Sequence, residues 1–375
     1  MIFGRNKTYR GHRTRRGLGA LPAIFLSLIA LILLAAIAVF SLLPQYLVYY
    51  PDGVELVVPF MQESGEGFRL EAISHPAPYA GNAEAYFEVS EPDYSLINYG
   101  SIAGLDYLQA YYVPFAKATS SGLENAVKEA ARSDVKGLVL QMKDESGMLA
   151  WMSSVDKASS LALNSTWDPT AELAELKADG WYLVAELTCA VDDAVAAADA
   201  GLALRDMNGF VYADEEGSWL DLWNLDVRSY IAALCRDLYT IGFDEIILDR
   251  VEQPLAEVVY TREIAASLNK TAAAMNFSIA VRKELADTLA SGRKHLCAKI
   301  THDALNEAAA NGQGLENFLK VYDRIVVETT TYHDDAQCFI NLAQDSTLRY
   351  VPQMDWTFSG GSWVLDPTIT AAEED

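Results

Sequence analysis

Apolar residues between positions 105 and 358 switch repeatedly between two spacings. Short runs of strand length alternate with stretches whose apolar positions recur at helical intervals. That alternation predicts a parallel sheet with crossover helices. The runs place strands at 107–115, 135–142, 181–187, 242–248, 277–281, 323–327 and 348–354. An eighth strand is short, hidden near 296–300, or absent. Ser121 and Glu124 form a capping-box pattern ahead of the first helix. Asp168-Pro169 opens a later helix, which Gly180 closes, and 190–200 is an alanine-rich helix. Val227, Ile231, Leu234, Cys235, Leu238 and Ile241 form one helical stripe, with Asp226 as the expected N-cap and Gly242 just past the end.

The N-terminus follows another rule. Arg5, Lys7, Arg10, Arg13, Arg15 and Arg16 precede a segment, 18–43, with no charged residue. That segment is long enough to cross a hydrocarbon core about 30 Å thick, and longer than the roughly 7–15 apolar residues usual in a signal peptide. The expectation is an uncleaved single-pass anchor in the cell membrane, contacting the lipid bilayer through 18–43. Its basic end lies in the cytoplasm and the rest is extracytoplasmic. The chain then divides into a basic tail (1–17), the anchor (18–43), a stalk or small β extension (44–104), an α/β domain (105–362) and an acidic tail (363–375).

Charge narrows the partners. The formal total is −24, so removing the six basic residues up to Arg16 leaves about −30 on the remainder. Nucleic acid is not an expected partner, because binding it requires cations against phosphates. Cys189, Cys235, Cys297 and Cys338 are widely separated with no Cys-x-x-Cys pair, and no His-x-x-x-His pair occurs. No metal and no cofactor are expected. Cys235 sits on a helical stripe, where a small core residue is the simpler reading.

The most informative run is Gly242-Phe-Asp-Glu-Ile-Ile-Leu-Asp-Arg-Val-Glu-Gln-Pro254. It delivers Asp249 and Glu252 to the carboxyl end of a buried strand. Together with Trp219-Leu-Asp-Leu-Trp-Asn224, Val135-Lys-Gly-Leu-Val-Leu-Gln-Met-Lys-Asp-Glu-Ser-Gly147 and Gly180-Trp-Tyr-Leu-Val-Ala185, it resembles a bacterial family described as a putative glycosyl hydrolase domain. The resemblance covers roughly residues 105–358. It implies a (β/α)8 TIM-type barrel, here behind a transmembrane helix, acting on a polysaccharide or oligosaccharide.

Glycoside hydrolysis takes two carboxyl groups, one protonating the leaving oxygen and one attacking or activating water. Barrel active sites gather at strand carboxyl ends. Asp249 is the first catalytic candidate, with Glu328 or Asp355 as its partner. Lys143, Asp144, Glu186, Asp221, Trp223, Glu252 and Gln353 are expected to bind substrate. Each has a plainer reading, as a rim carboxylate, an ion pair or a core aromatic. Where the family tends to carry arginines, this chain has Glu186 and Glu252, which reverses charge and removes a donor fork. Two readings follow. One is a glycosidase acting on an envelope or extracellular glycan. The other is an inactive barrel that binds glycan or scaffolds envelope proteins.

Overall fold

A computed structural model describes residues 47–50, 53–56, 68–70, 104–256, 270–292, 294–305, 310–329, 335–338, 340 and 346–369. The chain divides into two units, Met1–His75 and Pro76–Asp375. In the first, strands β1 (Leu47–Tyr50), β2 (Gly53–Leu56) and β3 (Phe68–Leu70) form an antiparallel sheet. These strands fall within 44–104, the stretch read as a stalk or small β extension. The proposed anchor, 18–43, lies outside the described residues; among those described, no helix is long and apolar enough to cross a membrane.

The second unit is a closed parallel barrel of eight strands with helices between them. In chain order these are β4 (Gln109–Val113), β5 (Gly137–Lys143) and β6 (Tyr182–Thr188), then, after a two-stranded hairpin of β7 (Ala213–Asp214) and β8 (Gly217–Ser218), β9 (Glu245–Asp249), β10 (His295–Ile300), β11 (Ile325–Glu328), β12 (Tyr350–Met354) and β13 (Trp363–Leu365). The barrel is a (β/α)8 fold. β13 pairs with β12 on one side and β4 on the other, closing the ring.

Two strand expectations change. Residues 277–281 are not a strand but part of the helix Lys270–Glu284, which buries Ala273, Ala274, Met275, Phe277, Ile279 and Val281. A five-residue stretch with four apolar residues around Ser278 suits a buried helix as well as a strand, and the alanines before it favour the helix. The fifth position in the ring belongs instead to β10, the strand half-hidden at 296–300. The closing strand, β13, lies in what was expected to be an acidic tail, so the barrel extends past 362.

Two caps shift by two residues each. Thr119, not Ser121, opens the first helix, its hydroxyl accepting the Gly122 N–H. Asn224, not Asp226, caps the helix Leu225–Ile241, its side chain accepting the Asp226 N–H. Gly242 ends that helix at φ 128°, a backbone state costly for other residues, and its N–H returns to the Leu238 carbonyl. The stripe on this helix is as read, with Val227, Ile231, Leu234, Cys235 and Leu238 buried.

Strands buried on both faces explain the continuous apolar runs. Outward residues such as Leu138, Leu183, Ile246 and Ile325 join the helices in one core. Inward residues Val139, Val184, Ile247, Cys297, Val326, Val351 and Val364 fill the barrel. At the amino end of the strands the interior turns polar: Glu245 accepts from the Tyr182 hydroxyl at 2.9 Å and from Arg324 Nε at 3.2 Å. Arg324 also donates to the Asp106 and Leu348 carbonyls, which ties the floor of the barrel together.

Candidate active site

Moving two residues along each strand from the apolar ring identifies the mouth. Ala110 leads to Tyr112, Val139 to Gln141, Val184 to Glu186, Ile247 to Asp249, Cys297 to Lys299, Val326 to Glu328, Val351 to Gln353, and Val364 to Asp366. Since side chains alternate faces along a strand, these eight project to the carboxyl end. The register agrees: Gln141 pairs with Glu186, Thr188 with Asp249, and Glu328 with Gln353.

Glu186 lies deepest, 1% exposed. One of its oxygens accepts the Tyr112 hydroxyl at 2.9 Å, and the other is buried with no hydrogen-bond partner among the described residues. Burial pushes its carboxyl up to about 7; the Lys299 ammonium pulls it back and the Asp249 charge pushes it further. Burial and the adjoining Glu186 also raise the Tyr112 phenol, so that it stays a donor.

Asp249 is half-buried, and its Oδ1 accepts the N–H of Arg250 at 2.8 Å. Arg250 holds φ 55°, a left-handed state costing a non-glycine residue about 1–3 kcal/mol. That sharp exit turns the chain just after the acid. Lys299, its side chain 15% exposed, stands 3.9 Å from Glu328 Oε2. Burial lowers this ammonium's affinity for its proton, but Glu186, Asp249, Glu328 and Asp366 together outweigh burial and hold it above the ordinary lysine value. Asp366 accepts from Gln353 Nε2 at 2.7 Å and from the Thr368 N–H and hydroxyl. Among the described residues, the mouth therefore sets Glu186, poised near neutrality, and Asp249, in a more open setting, about the Lys299 ammonium. Paired acid and base roles arise from such unlike environments.

The other sequence candidates separate. Glu328 is on the rim with 60% of its side chain exposed. Asp355 is exposed beyond the end of β12. Lys143 does not face the mouth, because β5 shifts register between Gln141 and Lys143. It is fully buried against Asp192 at 3.0 Å and donates to the Thr188 carbonyl. Asp144 accepts from Ser146 and Met148 within its own loop. Gly147, at φ 88°, completes the arrangement, since a Cβ there would lie 2.1 Å from Asp192 Oδ1. The Lys-Asp-x-x-Gly run thus packs one loop on the next. Asp221 accepts the Trp223 N–H in a buried turn, and Trp223 is buried with Arg228 over its ring. Glu252 is buried, paired with Arg250 at 3.1 Å and bonded by Asn311. Gln353 serves Asp366.

Tyr112, Lys299 and Asp366 escaped the sequence reading. The inward period of two along the first strand pointed to Tyr112. Lys299 and Asp366 sit on or just after strands left uncertain or unrecognised.

A profile of the family described as "Putative glycosyl hydrolase domain" matches residues 110–326, more than half of the chain. Among curated proteins none matches the sequence. Similar solved structures include a hypothetical protein from Ruminiclostridium thermocellum, 20% identical over 50% of this chain and 96% of that one, TM-score 0.44. Another is the PgaB (BpsB) glycoside hydrolase domain from Bordetella bronchiseptica, 12% identical over 66% and 84%, TM-score 0.48. A third is an α-galactosidase from Lactobacillus brevis, 11% identical over 72% and 39%, TM-score 0.45.

Proposed function

Because the chain belongs to the putative glycosyl hydrolase domain family, we propose that the barrel mouth cleaves glycosidic bonds, with Glu186 as proton donor and Asp249 as nucleophile or base. The observation that carries this reading is the buried Glu186 carboxyl, raised to about 7 beside Asp249. A carboxyl group half-protonated near neutral pH suits protonation of a leaving glycosidic oxygen. Asp249, on the more open side, either attacks the anomeric carbon or takes a proton from the attacking water. The leaving oxygen receives the Glu186 proton as its bond to carbon breaks. Tyr112 holds the Glu186 carboxyl in place, and Lys299 favours negative charge on Glu186. This assigns to Glu186 the role that sequence reasoning gave to Glu328 or Asp355.

The basic tail and the uncharged segment 18–43 support a membrane-anchored protein whose barrel meets envelope or extracellular glycans. The test is release of reducing ends from a panel of envelope and plant polysaccharides. The unmodified protein should release them, while Asp249→Asn and Glu186→Gln should not, with fold preserved by circular dichroism. Full activity in Asp249→Asn would remove the basis of the assignment. Glycan binding without hydrolysis by the unmodified protein would establish the inactive-barrel reading.

A further inference from the structure

Next to Asp249 the chain enters a second concavity. A cavity of about 430 Å³ is lined by Trp219, Arg250, Glu252, Gln253, Asn311 and neighbouring residues, a size within the range of small-molecule sites. Arg250 and Glu252 follow Asp249 directly, and the Asp249 charge acts on both. The cavity is therefore walled by the chain segment that leaves Asp249.

Its buried polar groups are incompletely used. Gln253 is fully buried, and neither its amide nitrogen nor its oxygen has a hydrogen-bond partner among the described residues. Trp219, 3% exposed, likewise has an indole N–H with no partner among the described residues. Leaving a buried donor or acceptor unpaired forfeits its hydration with nothing in return. Two such residues lining one cavity mark a place where a ligand supplies the missing partners. They ask for acceptors at Gln253 Nε2 and Trp219 Nε1 and a donor at Gln253 Oε1, a combination that sugar hydroxyls and amines provide.

Charge selects among sugars. Asp214, Glu216, Glu252 and Asp303 line the cavity with Arg250 as the cation among its lining residues. Arg250 is already shared between Glu216 and Glu252. Asp214 accepts from the Tyr212 hydroxyl and the Glu216 N–H, neither of which neutralises it. Uronic or sulfated glycans meet repulsion here, and an ammonium group meets attraction.

We propose that this cavity is a binding subsite for a sugar residue bearing a free amino group, so that the glycan handled at the mouth is a hexosamine polymer with unacetylated units. The inference rests on the glycan-cleaving reading of the mouth for its biological setting, but its binding test is independent of cleavage. Isothermal titration of the full chain would use three probes: glucosamine tetrasaccharide, its fully N-acetylated counterpart, and a glucose tetrasaccharide. The free-amine probe should bind about tenfold tighter than either, and roughly 0.5 M salt should largely erase that preference. Asp303→Asn, on the exposed part of the wall, should narrow the preference without disturbing folding. Gln253→Ala should weaken binding of all three probes. Equal affinity for the free-amine and acetylated probes, a preference for the neutral probe, or no binding at all would overturn the proposal. If Asp249→Asn retains selective binding while the unmodified protein cleaves nothing, the catalytic reading fails and the subsite stands.

Discussion

Lys143 and Asp192 meet at 3.0 Å with neither side chain exposed to solvent. Asp192 also accepts the Val195 N–H at 2.8 Å, capping the short helix Asp193–Ala198. Removing one partner of a buried ion pair strands the other charge and typically costs about 3–5 kcal/mol. Lys143→Met should therefore lower stability by about that much in chemical denaturation. A change below about 1 kcal/mol would show that the pair is not buried in solution.

Gly147 tests the same junction from the other side. Its positive φ and the 2.1 Å approach of Asp192 Oδ1 to any added Cβ predict that Gly147→Ala destabilises by more than about 1 kcal/mol. Gly209, which has nothing within 4 Å of an added Cβ but also holds a positive φ of 86°, separates strain from crowding. Gly147→Ala should cost clearly more than Gly209→Ala, and equal losses would assign the effect to backbone strain alone.

Glu186 links stability to pH. Its carboxyl rises from about 4.5 unfolded to about 7 folded, so the native state holds the proton more tightly. The associated stability is complete below pH ~4.5 and declines as pH climbs through about 7, by about 3 kcal/mol in total. Glu186→Gln, which cannot ionise, should flatten the stability curve across that window. The alkaline limb of the unmodified protein's kcat/KM profile should fall near the same pH. Curves that superimpose for the two proteins would refute the assigned shift.

Lys299 gives a prediction with a definite sign. Its ammonium lowers the proton affinity of Glu186, so Lys299→Met should move the alkaline limb to higher pH. A simply structural role would reduce activity at every pH and leave the limb where it was. Movement toward lower pH would contradict the electrostatic account.

Topology is open to a direct measurement. Protease added to intact cells should digest the barrel and spare the stretch containing Arg5 to Arg16, as the basic flank and the uncharged 18–43 segment imply. Protection of the barrel, or its recovery as a cleaved soluble product, would exclude an outward-facing anchor.

Much of the barrel was legible because its strands are apolar on both faces and its helices carry stripes. The stretch 277–281 misled because five residues, four of them apolar around Ser278, are too few to separate strand from buried helix. β13 escaped because three residues, Trp363 to Leu365, lie below the length at which a strand is visible. The site divides along the same line. Asp249, Glu186 and Glu328 follow recognisable runs, whereas Lys299 and Asp366 depend on the two strands least visible in the sequence. Lys143 was misplaced by a register shift that local spacing does not encode. Trp223 looked like a sugar platform only while its burial was unknown.

The shortness of β13 also bears on how the protein is made. Synthesis runs from amino to carboxyl end, so β4 and β12 emerge with their outer edges open and find a shared neighbour only when residues 363–365 have left the ribosome. Until then two lines of unpaired backbone N–H and C=O groups are available to any other extended chain. Three residues separate a sealed ring from a sheet with two reactive margins. A nascent chain stalled before Trp363 is accordingly the state in which chaperone demand should peak.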